Sequence, residues 1–222
     1  YGPKSPATNL LTEAELTNMN PQELVDRIHN QNSYKHRILY YGPSSSKDLL
    51  ATINQYHQVP AALKDIPAGN EYSYLETPVT KVLVAPYDAK QIYMAQISNL
   101  DKKYDPAIEP IRALYDEYFG GGMNSIVFQE MRETRGLAYS AWASIMPPSY
   151  LKYPYVLRTQ IATQNDKMID AVTTFNDIIN NMPESEAAFK LAKDGLTNRL
   201  RTERIIKGDI IWSYINAQDL GQ

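Results

Sequence analysis

The sequence predicts an α+β fold of two layers, in which an antiparallel-rich sheet carries helices packed on one of its faces. The prediction rests on the order of the elements: from residue 79 on, two strand-like segments precede two helical segments, and this order then repeats. Paired strands followed by paired helices favour antiparallel pairing, whereas a doubly wound parallel sheet requires strands and helices to alternate. The composition is that of a globular protein, since 43% of the 222 residues are hydrophobic and 21% are charged.

The residues before position 58 predict two helices with a strand between them. Asn20 can cap a helix that begins at Pro21, because proline fits the first helical position. Residues 36–41 (HRILYY) are predicted to form a strand that a Gly-Pro pair ends. The serines at 44–46 favour the start of a second helix. Its apolar residues recur at helical spacing: Leu49, Leu50, Ile53 and Tyr56.

Residues 58–78 are predicted to be a linker. Pro60, Pro67, Gly69 and Pro78 interrupt a stretch that has no clear hydrophobic periodicity. After the linker, residues 81–85 and 91–98 have the composition of two strands separated by a Pro-Tyr-Asp turn.

A helix is predicted next, opened by the Asp-Pro and Glu-Pro pairs within residues 105–110 and ended by the glycines at 120–122. Its apolar stripe consists of Ile111, Leu114, Tyr115 and Tyr118. Asn124 or Ser125 then caps a short helix that ends at Gly136. Residues 139–146 alternate as a strand, with residues 155–163 as the partner strand beyond a Pro-Pro turn.

Two longer helices complete this order, and a final helical run follows them. Asp166 is predicted to cap the first, Pro183 and Glu184 to start the second, and Gly208 to interrupt the chain before the last run. The predicted apolar residues are Ile169, Val172, Phe175 and Ile179 in the first helix, and Phe189, Leu196 and Leu200 in the second.

Composition excludes several classes of protein. The net charge of −3 argues against a nucleic-acid or anionic-membrane binder acting through bulk charge. The absence of cysteine excludes disulfides, thiolate metal sites and cysteine nucleophiles. No apolar run approaches the 18 residues or so of a membrane span. The composition therefore predicts a soluble protein. Because the chain starts at Tyr1 rather than at methionine, we expect a fragment of a longer protein that carries no targeting segment itself, any such segment lying upstream, and its compartment is unknown.

Two common sites are incomplete in the sequence. The glycines at 120–122 lack the lysine that a phosphate-binding P-loop needs, and they follow a predicted helix rather than a strand. They are therefore interpreted as structural. The three histidines, His29, His36 and His57, show no zinc-peptidase spacing. No metal site is predicted in this chain.

Residues 132–140 (RETRGLAYS) are the unusual segment. Arg132 lies in the last turn of a predicted helix and Tyr139 at the start of a strand, so both can approach one location. A guanidinium and a phenol are together two donors for a carbonyl oxygen or an oxyanion. The alternative is structural, because an arginine near a helix end interacts favourably with the helix dipole, and a strand tyrosine is commonly half-buried packing.

Residues 118–140, with a glycine-rich turn, a short helix that carries an arginine and the sequence RGLAYS, resemble the pitrilysin family of zinc peptidases. This family includes insulinase (insulin-degrading enzyme) and mitochondrial processing peptidase. The resemblance implies a pitrilysin-type peptidase unit over residues 79–222, cut at both ends. It further implies that residues 1–57 are the strand–helix tail of a preceding homologous unit, with residues 58–78 as the linker between units.

The resemblance also implies a function. Family members pair homologous halves into a chamber, and one half carries the zinc motif H-x-x-E-H, which this sequence lacks. The chain therefore resembles the non-zinc, C-terminal half. Tyr139 matches the family's donor to the substrate carbonyl or oxyanion, and Arg132 matches its substrate-binding arginine. The expected partners are a peptide substrate and a zinc-bearing half, in the same chain or in a separate subunit, so that zinc is expected there and no cofactor here.

Two alternatives follow. The chain is either the substrate-binding half of a zinc metalloendopeptidase, expected to be inactive alone, or a catalytically inactive family member that acts as a binding or assembly module. A further hypothesis concerns the sheet. Exposed sheet edges recruit strands, so residues 36–41 are a candidate to complete the sheet of residues 79–222.

Overall fold

The computed structural model describes residues 1–3, 5–148 and 150–221. The chain divides into two compact units, Tyr1–Tyr72 with Arg204–Gln222, and Ser73–Glu203. The last helical run belongs to the same unit as the N-terminal residues, whereas the sequence predicts it to be part of the unit of residues 79–222.

The helices and strands of the described residues have the following order. They are α1 (Glu13–Thr17), α2 (Pro21–Asn30), α3 (Ser46–Tyr56), β1 (Gln91–Lys103), α4 (Glu109–Tyr115), α5 (Ile126–Phe128), β2 (Ser140–Met146), β3 (Pro154–Gln164), α6 (Met168–Asn180), α7 (Glu186–Thr202) and α8 (Asp209–Asp219). Turns of π-helix extend α4 over Asp116–Gly120 and α5 over Gln129–Thr134. Short 3₁₀ turns lie at Pro6–Asn9, Gln31–Ser33, Pro106–Ile108 and Asn165–Lys167.

The helix starts predicted near the N-terminus are confirmed. The Asn20 side chain accepts a hydrogen bond from the amide of Gln22, and the Ser45 hydroxyl accepts one from the amide of Asp48. Such bonds satisfy amide groups that have no partner in the first helical turn.

The strand predicted for residues 36–41 is wrong. The structure assigns these residues no strand, and the three-stranded sheet does not include them. The hypothesis that they complete the sheet of the main unit is therefore also wrong. The adjacent residue Tyr34 instead forms a single parallel bridge with Lys64, inside the predicted linker. One bridge cannot build a ladder, and the apolar side chains of 36–41 stay largely exposed.

The sheet of the second unit is antiparallel and has the strand order β1-β3-β2. Its three strands confirm the predictions for residues 91–98, 139–146 and 155–163. The strand predicted for residues 81–85 is wrong, because this segment has no partner strand among the described residues. Val82, Leu83 and Val84 are 83–92% exposed.

One face of the sheet and the helices of the second unit form the core. Met94 of β1 and Ala141 of β2 both pair with Ile161 of β3, and all three contact this core. The most deeply buried members are Phe119, Val127, Met131, Ala143, Ile161, Ala171 and Phe175. On the other face, Tyr93 and Ile97 are exposed. The two-layer α+β prediction is confirmed.

The helical spacing of apolar residues predicted where α6 and α7 form, but it predicted less well which of their residues are buried. In α6 the buried residues are Ala171, Phe175 and Ile178, whereas the predicted Ile169 is 74% exposed. In α7 the small residue Ala192 is buried. The predicted Phe189 and Leu200 are exposed.

Candidate functional site

The π turn at the end of α4 attaches the helical layer to β2. The carboxylate of Asp116 accepts hydrogen bonds from the amide of Ile145 at 2.8 Å, the hydroxyl of Ser144 at 3.0 Å and the guanidinium of Arg112 at 2.8 Å. Burial raises the pKa of the Asp116 carboxyl, although these bonds favour its charged form. The chain that leads from α4 towards α5 thus has a fixed position on the sheet.

The glycine at position 120 permits this close approach. A Cβ at Gly120 would overlap the carbonyl oxygen of Ala143 in β2. Gly120 is itself buried. At this position, glycine is therefore required for the packing of the α4 extension against β2, which agrees with the structural interpretation of the glycine run.

Arg132 lies on the outer side of the helical turn that follows. The hydroxyl of Ser125 caps α5 by accepting from the amide of Phe128, and Met131 is fully buried. The next residue, Arg132, consequently points outward, with its side chain 46% exposed. Its guanidinium lies 5.1 Å from the ring centroid of Phe128 and 5.6 Å from that of Tyr139.

A tight reversal brings Tyr139 to Arg132. Gly136 has a φ of +58°, the left-handed conformation that glycine adopts at helix ends. The carbonyl of Met131 accepts from the amides of Leu137 at 2.8 Å and Ala138 at 3.1 Å. The amide of Tyr139 then donates to the carbonyl of Ala162 at 2.8 Å, which begins the pairing of β2 with β3.

The Tyr139 side chain is available to a ligand. It is 69% exposed. Among the described residues, its hydroxyl has no hydrogen-bond partner. The structure therefore brings the two predicted site residues together, as their spacing predicts. It also leaves the phenol open.

A cavity of about 260 Å³ opens beside this pair, at the end of the sheet where β2 begins and β3 ends. Its lining residues are Gln91, Arg132, Gly136, Leu137, Ala138, Tyr139, Thr163, Gln164 and Lys167. The hydroxyl of Thr163 donates to the carbonyl of Leu137, and the ammonium of Lys167 donates to the carbonyl of Gly136 at 2.9 Å. Both bonds hold the reversal between α5 and β2 against the end of β3.

Lys167 was not predicted from the sequence. An available signal was the predicted pairing of residues 139–146 with 155–163. In an antiparallel pair, residues just after the second strand lie beside those just before the first. That geometry alone placed residues near 167 close to residue 136.

The chemistry of the site is that of hydrogen-bond donation. The phenol and the guanidinium can both donate to an oxygen that carries or develops negative charge. Arg132 pairs with Glu133 at 3.7 Å, and both side chains are about half exposed. An ion pair of this kind contributes little, so it leaves the guanidinium able to contact a ligand.

Two of the three histidines lie together elsewhere. Nε2 of His36 lies 2.7 Å from Nε2 of His57, and Nδ1 of His36 lies 2.6 Å from the carbonyl of Tyr34. Their separation of 21 residues matches no motif, and the sequence did not predict this pair. Within the described residues, no group of three or more His, Cys, Asp or Glu side chains could hold a metal ion.

The fold agrees with a comparison against known families. A sequence model described as the peptidase M16 inactive domain matches residues 37–196. The chain belongs to this family. The resemblance to the non-zinc half of pitrilysin-type peptidases is thereby confirmed. No curated protein matches the chain.

Solved structures show the same fold. A conserved protein from Enterococcus faecalis V583 is similar with a TM-score of 0.64 and 18% identity, over 95% of this chain and 49% of that one. A protease from Helicobacter pylori is similar with a TM-score of 0.57 and 13% identity, over 95% of this chain and 52% of that one. The periplasmic protease PqqL from Escherichia coli has a TM-score of 0.57 and 14% identity, over 81% of this chain and 20% of that one.

The chain thus spans about half of the first two structures and a fifth of the third. It is an inactive M16 domain related to one half of a protease. Every helix in residues 1–3, 5–148 and 150–221 is too short or too polar to cross a lipid bilayer.

Proposed function

We propose that this chain is the substrate-binding, non-zinc half of a zinc metalloendopeptidase, which hydrolyses peptides in a chamber formed with an H-x-x-E-H-bearing half. The observation that carries the proposal is the adjacency of the Arg132 guanidinium and the exposed Tyr139 phenol at one cavity. Two of the similar structures are proteases, and they support this assignment through fold alone.

The described residues do not fit a zinc site. The proposal therefore places the zinc in the partner half. There it would supply a water of lowered pKa as the nucleophile. In this chain, the Tyr139 hydroxyl donates a hydrogen bond to the carbonyl oxygen of the bond under attack. That bond strengthens as negative charge develops on the oxygen. Arg132 holds a neighbouring carbonyl of the peptide in the ground state and in the transition state.

The position of Tyr139 also fits an extended peptide. It directly precedes β2, which is an edge strand of the described sheet. A peptide that pairs with such an edge gains main-chain hydrogen bonds that depend little on its sequence. The substrate class is therefore peptide rather than a small molecule.

The test is Tyr139→Phe in the assembled enzyme, with the zinc-bearing half present. Loss of one oxyanion donor is expected to lower kcat by about 10²–10³. The melting temperature should not change, because the lost hydroxyl has no partner in the described residues. Tyr87→Phe is the matched control, since Tyr87 is 84% exposed and lies outside the cavity.

A Tyr139→Phe enzyme with normal kcat would contradict the catalytic assignment. The alternative, a non-catalytic binding or assembly module, is supported by the family's description as an inactive domain. The two differ in their partner. A half with H-x-x-E-H and a downstream glutamate, in the same chain or in a neighbouring subunit, supports the enzyme. Its absence supports the module.

A further inference from the structure

The cavity beside Tyr139 has an unbalanced charge. Arg132 and Lys167 line it, and no aspartate or glutamate is among its described lining residues. Gln91 and Gln164 also line it and carry no charge. A cavity with two cations and no anion attracts a negatively charged group.

Lys167 is the less expected of the two cations. It is partly buried, at the end of the 3₁₀ turn that joins β3 to α6. Its ammonium donates to the carbonyl of Gly136 at 2.9 Å, and within the described residues no carboxylate lies within 4 Å of it. An ammonium has three donor hydrogens. Two of them therefore remain for a ligand in the cavity.

Arg132 can contribute to the same ligand. Its ion pair with Glu133 is long, at 3.7 Å, and half exposed. Such a pair is easily exchanged for a ligand carboxylate, to which a guanidinium can make two parallel hydrogen bonds.

The size of the cavity limits what can bind. Its volume of about 260 Å³ lies below the roughly 300–1,000 Å³ of pockets for drug-sized ligands. It can take one side chain or a chain terminus of an extended peptide. A larger cofactor does not fit.

We propose that this cavity is a subsite for a peptide carboxylate and that Lys167 is the residue that selects it. The inference rests on the proposed function, since it names the class of peptide that this half selects. The carboxylate belongs to an aspartate or glutamate side chain, or to the C-terminus of the peptide, next to the residue held by Tyr139.

Peptide binding to the 222-residue chain tests the proposal. Three N-acetylated peptides of identical length are compared by isothermal titration calorimetry. The first has an internal glutamate and an amidated C-terminus, the second has glutamine in place of the glutamate, and the third is the glutamine peptide with a free C-terminus. At low salt, at least one carboxylate peptide should bind about tenfold more tightly than the neutral one, as expected for one charge-assisted hydrogen bond. Comparison of the first and third peptides identifies the source of the carboxylate.

Three variants then assign the preference to Lys167. Lys167→Met should reduce the preference to less than about twofold, and Lys167→Arg should retain most of it, since the charge remains. Lys193→Met removes an equal charge from the exposed surface of α7 and should leave the preference unchanged. Circular dichroism verifies that each variant is folded. If a variant fails to fold, the comparison of the three peptides on the unmodified chain still tests whether the carboxylate is preferred.

Three results would overturn the inference. If all three peptides bind equally well, the subsite is absent while the proposed function stands. If Lys193→Met reduces the preference as much as Lys167→Met does, long-range charge is its cause. If no peptide binds, both the subsite and the substrate-binding role are contradicted.

Discussion

Tyr139 combines a fixed backbone with a free hydroxyl. Its amide is bonded to Ala162 of β3, the preceding residue Ala138 is buried, and the guanidinium of Arg132 lies over its ring. The hydroxyl nevertheless has no partner in the described part of the chain. The hydroxyl is therefore positioned to contact a ligand. It costs the folded state little stability, because it is exposed to solvent and not buried without a partner.

Arg132→Ala is expected to act mainly on KM in the assembled enzyme. If the guanidinium grips the peptide equally in the ground and transition states, its loss weakens binding and leaves kcat nearly unchanged. Steady-state kinetics measure this division. Arg135→Ala is the control. Arg135 directly follows the same π turn, but it pairs with Glu130 at 3.3 Å and does not line the cavity. A fall in kcat with unchanged KM would instead place Arg132 among the transition-state donors.

The raised pKa of Tyr115 is expected to make the folded chain less stable at high pH. Burial, and secondarily the charge of Asp116, raise the pKa of Tyr115 from 10.0 to about 12. Below pH 10 the phenol is protonated in both states. Between pH 10 and about 12 the unfolded chain ionises first, so the unfolded state binds fewer protons and stability falls as pH rises.

Tyr115→Phe should therefore make the melting temperature less dependent on pH in this range. Among the described residues the Tyr115 hydroxyl has no hydrogen-bond partner. Replacement by phenylalanine therefore removes the ionisable group without breaking a hydrogen bond within these residues. Thermal melts at pH 9, 10 and 11 measure the effect, with the exposed Tyr87→Phe as control. An identical pH dependence in the two variants would contradict the prediction.

At the scale of elements, the contact of the α4 extension with β2 holds the site. Asp116 and Gly120 both contact β2, at Ile145 and Ala143 respectively. The capped helix α5 and the reversal at Gly136 follow from this position. Arg132 and Tyr139 therefore depend on a contact that neither of them makes.

Gly120→Ala is expected to destabilise the chain by about 3 kcal/mol, the upper part of the range for overpacking, because the new Cβ meets backbone atoms that cannot rotate away. Gly122→Ala is the matched control. Nothing lies within 4 Å of a Cβ there, so its effect should stay within about 0.5 kcal/mol. Urea denaturation measures both. Equal stability of the two variants would show that the helix can shift on β2 without loss.

The sequence predicted elements with strong local signals and failed where a distant partner decides. The helix caps Asn20 and Ser45 and the glycine stops were predicted because a cap acts within one turn. Residues 36–41 and 81–85 have a strand-like composition but no partner strand in the described residues. Strand propensity depends mainly on packing against neighbouring strands, so composition alone could not distinguish them from β1.

At the scale of the molecule, the chain alone is expected to bind no stoichiometric zinc and to cleave no peptide. An open zinc site needs three protein ligands, and no such group is present in the described residues. Metal analysis after a chelator wash and dialysis against zinc checks this expectation, together with a fluorogenic peptide assay. About one zinc per chain would contradict it. If weak binding is seen, His57→Phe tests whether the His36–His57 pair is its source.

The sequence by itself determined the α+β class, the three strands of the sheet, most helix starts and the pairing of Arg132 with Tyr139. These features depend on short-range periodicity, on helix caps and on one contiguous motif. In each case the residues that cause the feature lie within a few positions of it in the sequence. Only the tertiary structure decided that residues 36–41 and 81–85 form no strand, that His36 meets His57, and that Lys167 lines the cavity beside Tyr139. Each of these depends on contacts between residues far apart in the chain, which are made or lost when the whole fold packs.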